Sequence, residues 1–254
     1  MLDVVKTRLA QGYRTAQYPQ QKPAMPDRFK GLPKIESVKC SPETCASCVN
    51  LCPAKAIGQV NGRITLDIGK CIFCGSCEGK SSSNTIQFTP EYSMATRKRK
   101  DLILNNRNNF NYAEPLDPAK LGLFKKSIRL RQVSAGGCNA CEADVNVLNT
   151  LVFDLSRFGI QFVASPRHAD GLLVTGPLTK NMELALKKTY EALPSPKIVI
   201  ASGACAISGG MFAEHQEVHK GVDEIIPVDL YIPGCPPHPY TIFDGLLRLL
   251  GKVR

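Results

Sequence analysis

The eleven cysteines of this 254-residue chain constrain it more than any other feature, because they are neither scattered nor paired. Seven fall between Cys40 and Cys77 and four between Cys138 and Cys235. An odd total excludes complete disulfide pairing. The first segment, MLDVVKTRLAQGYRTAQ, is charged where an export signal has its apolar core, so the thiols are expected to stay reduced. Metal ligation is then the leading use for them. No run approaches the roughly 18 uninterrupted apolar residues that a membrane-spanning helix needs, so the chain is expected to be soluble or peripheral to a membrane.

Within the first population, a shift of 29 residues places Cys45 on Cys74, Cys48 on Cys77, Cys52 on Ser81 and Ile57 on Ile86. A duplicated half-domain accounts for this. The halves read Cys40-x4-Cys45-x2-Cys48-x3-Cys52-Pro53 and Cys71-x2-Cys74-x2-Cys77-x3-Ser81. The pattern is close to the two-cluster signature in which three closely spaced thiolates hold one [4Fe–4S] cube and the fourth, before proline, reaches across to the other. Short gaps let one loop aim three sulfurs at one cube. Zinc takes paired Cys-x2-Cys instead, and triplets followed by Cys-Pro argue against it. Crossed ligation makes Cys52, Cys71, Cys74 and Cys77 one complete set. The other set would be Cys40, Cys45, Cys48 and Ser81, with serine where cysteine is expected and a first gap two residues too long. That atypical cluster is open between a [4Fe–4S] completed by Ser81 or from outside, a [3Fe–4S], and none; retention is preferred, because its three cysteines have not decayed together.

The second population sits in another kind of sequence. Apolar runs at Ile128–Val133, Gln161–Ala164, Gly171–Thr175, Lys197–Ala201 and Ile225–Tyr231 alternate with helical patterns near 141–157, 179–193 and 239–250. That alternation predicts a doubly wound, flavodoxin-like α/β domain with a parallel sheet. Cys138 and Cys141, then Cys205, then Cys235 each follow the carboxyl end of a predicted strand, the edge at which open parallel sheets bind ligands. Four thiols remote in sequence thus meet at one rim, the number a [4Fe–4S] cube requires. Neighbouring glycines such as Gly136, Gly203 and Gly234 suit sharp turns and close backbone approach.

Charge is divided as unevenly as cysteine: residues 1–120 carry a net +8 and residues 121–254 a net +2. Each all-thiolate [4Fe–4S] cluster contributes about −2, so clusters offset much of the excess and nucleic acid is not an expected partner. The run Arg97, Lys98, Arg99, Lys100 reads as a solvated or partner-facing segment. No Gly-x-Gly-x-x-Gly follows a strand and no Walker motif occurs, which argues against a bound dinucleotide and against nucleotide hydrolysis.

Four stretches carry a family resemblance: GGCNACEAD (136–144), SPRHADGLLVTGPLT (165–179), SGACAISGG (202–210) and YIPGCPP (231–237). Together they resemble the small subunit of group 4 membrane-bound [NiFe] hydrogenases, and the later ones also the related subunit of respiratory complex I. RTAQYPQ, FKGLP, IGKCIFCGSCE (68–78) and TPEYSMA (89–95) resemble the two-cluster ferredoxin subunit of formate hydrogenlyase-type complexes, an α+β ferredoxin-like fold. The chain looks like a fusion of the two. The resemblance implies that Cys138, Cys141, Cys205 and Cys235 hold the proximal cluster against a large subunit, that any nickel lies in that subunit rather than here, and that the ferredoxin part passes electrons on. It further implies other soluble and membrane-arm subunits, an electron-donor protein, and a peripheral position on the cytoplasmic face of the membrane. Cys138-x-x-Cys141 is the hydrogenase-type spacing, whereas complex I subunits typically have adjacent cysteines there. The expected division is an N-terminal docking arm (1–36), a ferredoxin-type domain (37–95), a linker (96–124) and the hydrogenase small-subunit-like domain (125–254). Glu142 reads equally as part of a proton path or as an acid placed by a helix dipole; His168 and His238 read as structural.

Overall fold

The computed structural model describes residues 2–12, 14–36, 48–60, 63–78, 85–106 and 109–253. The N-terminal half contains α1 (Leu2–Gln11), β1 (Pro33–Ile35), β2 (Ile57–Val60), β3 (Arg63–Asp67), β4 (Ile86–Phe88) and β5 (Ile103–Leu104). β1 pairs antiparallel with β4, β2 with β3, and β5 extends the second sheet beside β3. The 29-residue shift carries residues 33–35 to 62–64 and 57–60 to 86–89, so strand falls on strand and each pair joins one half to the other.

The C-terminal half contains α2 (Pro118–Phe124), β6 (Ile128–Ser134), α3 (Ala140–Val147), β7 (Ile160–Phe162), β8 (Gly171–Thr175), α4 (Lys180–Glu191), β9 (Ile198–Ser202), α5 (Ala204–Ser208), β10 (Leu230–Ile232) and α6 (Pro239–Leu249). Its five strands run parallel in the order β10-β9-β8-β6-β7. Numbered by chain order this is 2-1-3-4-5, the doubly wound arrangement expected, with its switch point between β6 and β8. β8 and β9 are buried at every residue, as strands covered on both faces must be.

Two predicted elements are shorter than their apolar patterns. Of Ile225–Tyr231 only the end is strand, because Pro227 lacks a ladder donor and Asp229 turns its carboxylate to the Val199 N–H at 3.0 Å. The helix expected over 141–157 ends at Val147. Beyond it Asn149 N–H bonds Asn146 O, Thr150 N–H bonds Val147 O, and Asp154 takes a left-handed φ of 44°, which a continuing helix cannot hold.

The sheet has a core on each face. α3 and α6 cover one, burying Val145, Leu148, Phe243 and Leu247 against Leu130, Leu173, Ile200 and Ile232. Each such side chain contributes about 1.5–3 kcal/mol on leaving water. On the other face Val133, Leu172, Val174 and Ala201 pack in one cluster with Ile57, Leu66, Ile68, Cys71 and Leu102 of the N-terminal half. The stretch expected as a linker crosses between the halves with bonds of its own: Thr96 and Tyr231 exchange both backbone hydrogen bonds, and Leu116 N–H bonds Leu249 O. Two members of the basic run are structural. Arg99 clamps Asp67 through bonds of 2.8 and 2.7 Å, and Arg97 donates to the carbonyls of Asp229 and Pro115, leaving Lys98 and Lys100 exposed. Part of the N-terminal arm docks within the chain: Ala16 N–H bonds Val152 O at 2.8 Å, and Tyr18 O–H donates to buried Asp244 at 2.7 Å.

Candidate metal centres

Three loops at the carboxyl edge of the parallel sheet bring Cys138, Cys141, Cys205 and Cys235 together. β6 leads through Gly136, with φ +88°, and Gly137 to Cys138 and to Cys141 in the first turn of α3. β9 turns at Gly203, with φ +94°, into the short α5 that bears Cys205. β10 leads through Gly234 to Cys235 and the Pro236-Pro237 pair before α6. The loops are tied together, Gly203 N–H to Ile232 O and Ala204 N–H to Gly234 O, both at 2.8 Å. A methyl group on Gly203 would lie 2.6 Å from Cys141 Sγ, so only glycine lets the loops approach this closely.

Burial pushes the Cys205 thiol up to about 11, with Cys235 and Cys138 adding repulsion. Cys141 is raised further, by burial first and then by Cys205, Glu142, Cys235 and Cys138. Cys235 is raised by burial and by Cys138. Thiols crowded this way lose their protons together only when a cationic core neutralises them. Among the described residues no group of three or more His, Cys, Asp or Glu gathers tightly enough to hold a single metal ion. Four cysteines at one rim are the donor type and the number that a [4Fe–4S] cube takes.

A second group forms in the N-terminal half. The turn Cys71-Ile72-Phe73-Cys74-Gly75-Ser76-Cys77 has positive φ at Phe73 (54°) and Gly75 (+74°) and brings Cys71, Cys74 and Cys77 to one cavity with Cys52. These cysteines share an apolar cavity with Ile57, Leu66 and Phe88. Burial pushes Cys71 up to about 12; the Phe73 N–H, 3.3 Å from its sulfur, pulls the other way, and Cys52, Cys77 and Cys74 add repulsion. Cys77 goes up to about 11, by burial first, with repulsion from Cys52, Cys74 and Cys48. Ala56 N–H donates to Cys52 Sγ at 3.2 Å. N–H groups aimed at sulfur suit a thiolate bound to iron. Glu78, bonded to Lys30 and to Phe88 N–H, braces the loop just past Cys77. Of the third expected set, Cys48 is buried beside this group, while Cys40, Cys45 and Ser81 lie outside the described residues. None of the nine described cysteines is in a disulfide.

Glu142 occupies the first turn of α3, as its helix-dipole reading requires, but it is 7% exposed. Its Oε1 accepts hydroxyl bonds from Ser134 at 2.5 Å and Thr175 at 2.7 Å. Neither partner stood out in the sequence; their positions at the ends of adjacent predicted strands were the available signal. His238 accepts the Tyr240 N–H at 3.2 Å and caps α6, a structural role, while His168 lies in a short 3-10 turn.

Residues 138–249 match the family described as NADH ubiquinone oxidoreductase, 20 Kd subunit. A probable membrane-bound hydrogenase subunit, mbhJ, of Pyrococcus furiosus is 46% identical over 121 residues, 48% of this chain and 72% of that protein. The chain belongs to this 20 kDa subunit family. Formate hydrogenlyase subunit 7 of Escherichia coli is 46% identical over 130 residues, 51% of each chain, so this chain spans about half of that relative. An NADH-quinone oxidoreductase subunit of Desulfovibrio desulfuricans is 46% identical over 113 residues, 44% of this chain and 61% of the relative. All four rim cysteines fall inside the family match, with Cys138 as its first residue. No helix among the described residues is long and apolar enough to cross a membrane.

Proposed function

We propose that this member of the 20 kDa subunit family is an iron–sulfur electron-transfer subunit of a membrane-bound, group 4 [NiFe]-hydrogenase-like complex. It relays electrons between a donor or acceptor and an active site on a separate large subunit, and carries no catalytic residue itself. The observation that carries this reading is the convergence of Cys138, Cys141, Cys205 and Cys235 on the carboxyl rim of the sheet, within a family whose relatives belong by name to oxidoreductase complexes.

In this reading the rim cysteines hold a proximal [4Fe–4S] cluster, Cys52, Cys71, Cys74 and Cys77 a second, and Cys40, Cys45 and Cys48 with Ser81 or an outside ligand an atypical third, [4Fe–4S] or [3Fe–4S]. Such a group supplies one-electron transfer without covalent change in the protein. The chain's own residues do the rest. Gly203 lets backbone close over Cys141, Pro236 and Pro237 stiffen the loop around Cys235, and Ile57, Leu66 and Phe88 give the second set an apolar wall. The shared core fixes the two cysteine groups relative to one another, as an electron path needs.

The strand-on-strand repeat supports a two-cluster ferredoxin origin for residues 37–95. The division into arm, ferredoxin-type domain, linker and small-subunit-like domain belongs to the same proposal. So do the large subunit, the membrane-arm partners and a cytoplasmic, membrane-peripheral location.

A second reading, a nickel-free complex I-like ferredoxin or quinone oxidoreductase subunit, is favoured by the identity with the NADH-quinone oxidoreductase relative; the Cys138-x-x-Cys141 spacing favours the first. Anaerobic purification of the complex through a tag on this chain, with nickel measured against the large subunit, separates them. Near one nickel per complex supports the hydrogenase. An intact, iron-replete complex without nickel overturns it for the second reading, and a complex without iron overturns both.

A further inference from the structure

The N-terminal arm brings a cation to the wall of the second cysteine group. Just before β1 its backbone runs beside the end of β4: Gly31 N–H bonds Thr89 O at 2.8 Å, Leu32 N–H bonds Glu91 O at 2.7 Å, and the Thr89 hydroxyl donates to Leu32 O at 2.7 Å. A methyl on Gly31 would collide with Glu91 O, so glycine alone lets the two backbones pass this closely. Lys30 is thereby held over the turn that carries Cys74 and Cys77. Its Cε and Nζ lie 3.1 and 3.5 Å from where a methyl on Gly75 would sit, and its ammonium is 5.7 Å from the centre of the Phe88 ring. Gly75 and Phe88 both line the cavity shared by Cys52, Cys71, Cys74 and Cys77.

The counter-ion comes from the turn itself. Glu78, the residue after Cys77, pairs with the Lys30 ammonium through one oxygen and accepts the Phe88 N–H at 3.0 Å through the other. The bond from Lys30 holds the Glu78 carboxyl below the ordinary carboxylate range. As a clasp between arm and turn the pair is worth little, because its side chains are 36% and 30% exposed and such ion pairs contribute about 0–1 kcal/mol. As a pair of fixed charges it acts further. Ile57, Leu66 and Phe88 wall the cavity, and a charge felt through apolar groups is screened less than one felt through water.

We propose that Lys30 and Glu78 set the reduction potential of the centre held by Cys52, Cys71, Cys74 and Cys77, the ammonium favouring its reduced form and the carboxylate its oxidised form, with neither residue binding iron. The proposal rests on the electron-transfer reading above. One electron arriving at this centre adds one negative charge, and the neighbouring centre or carrier that gives it up loses one; no bond forms or breaks. A positive charge at the wall therefore raises the midpoint potential and a negative charge lowers it. Both are positioning residues, acting through the field at the cysteine turn. The segment that leads into β1 thus serves the centre as well as docking within the chain.

The test uses the intact complex, titrated with reductant and followed by electron spin resonance, the signal of this centre being the one that Cys74→Ala removes or alters. Lys30→Met is expected to shift its one-electron equilibrium about tenfold toward the oxidised form, about 59 mV lower in potential. Glu78→Gln, which keeps an acceptor for the Phe88 N–H, is expected to shift it about as far the other way, and Lys30→Arg to restore the wild-type value. Iron and acid-labile sulfide are expected to stay unchanged in all three. Equal midpoints in wild type, Lys30→Met and Glu78→Gln, or shifts of one sign in both variants, would overturn the proposal and leave the pair a clasp. Should Lys30→Met lose its iron, Glu78→Gln decides alone: a raised midpoint supports the proposal, an unchanged or lowered one overturns it. A wild-type complex in which no signal responds to Cys74→Ala would overturn the cluster reading of this cysteine set, a result distinct from failure of the ion pair.

Discussion

Glu142 is a carboxylate walled in by its own fold, with hydroxyls of Ser134 and Thr175 turned onto one oxygen. Leaving a buried acceptor short of a donor costs about 1–3 kcal/mol. Thr175→Val keeps the shape of the side chain and removes one donor, so thermal unfolding is expected to show a loss of that order. An unchanged melting temperature would mean that Thr175 does not support the acid. The sequence made Glu142 visible but hid its partners, because the contact between α3 and β8 exists only once β6 and β8 lie side by side. The rim cysteines were legible for the opposite reason: they follow three strands of one sheet, and a parallel sheet delivers all carboxyl ends to one edge. Cys40, Cys45 and Ser81 stay at the level of sequence, since the described residues do not include them.

At the scale of elements, α6 is braced by Tyr18 and capped by His238, and both can be tested. Tyr18 reaches from the arm to Asp244, whose second oxygen takes the Arg248 guanidinium at 2.7 Å. Tyr18→Phe leaves the ring edge-on to Tyr240 and tilted against Phe243 but removes the hydroxyl, an expected cost of about 1–3 kcal/mol with faster proteolysis of residues 14–25. Equal proteolysis of the two forms would show that the arm is held by packing alone. His238, stacked on Tyr240 and edge-on to Phe29, caps the same helix, and burial lowers its pKa from the ordinary 6.5. The unfolded chain then takes up a proton near 6.5 that the folded imidazole still refuses. Stability from this site is therefore fully present above 6.5 and falls as pH drops below it, through the lower folded value. Melting curves between about pH 8 and about pH 5 are expected to shift downward, and His238→Asn, which keeps a cap acceptor, to shift less. Equal shifts in both would remove His238 as the cause. Element boundaries were less legible than element order. Apolar runs pointed to strand at Ile225 and to helix at 148–157, but Pro227 and the left-handed Asp154 decide those segments through backbone geometry.

For the whole molecule, the decisive fact is that one apolar cluster spans both halves. Ile207 of α5 packs where a methyl on Gly69 would meet its Cγ2 at 2.8 Å, and Ser208 Oγ lies 3.1 Å from Gly69 O. Ile207→Ala is expected to cost about 2–5 kcal/mol and to lower the denaturation midpoint of both halves together, followed by cluster absorbance and far-ultraviolet dichroism. Two separated transitions would show that the halves fold independently. The exposed Lys55–Glu214 pair across the same seam is expected to add nothing measurable. This union was not legible beforehand, because a linker at 96–124, Asn- and Pro-rich from 101 onward, reads as a spacer whether or not its backbone is bonded at Thr96 and Leu116. The four rim sulfurs also differ in exposure: Cys138 and Cys235 face outward, Cys141 and Cys205 are half covered by glycine-lined backbone. The vessel therefore has a mouth and a floor: in the proposed loading with iron, the outer pair of thiols is the first that solvent reaches and the inner pair the last.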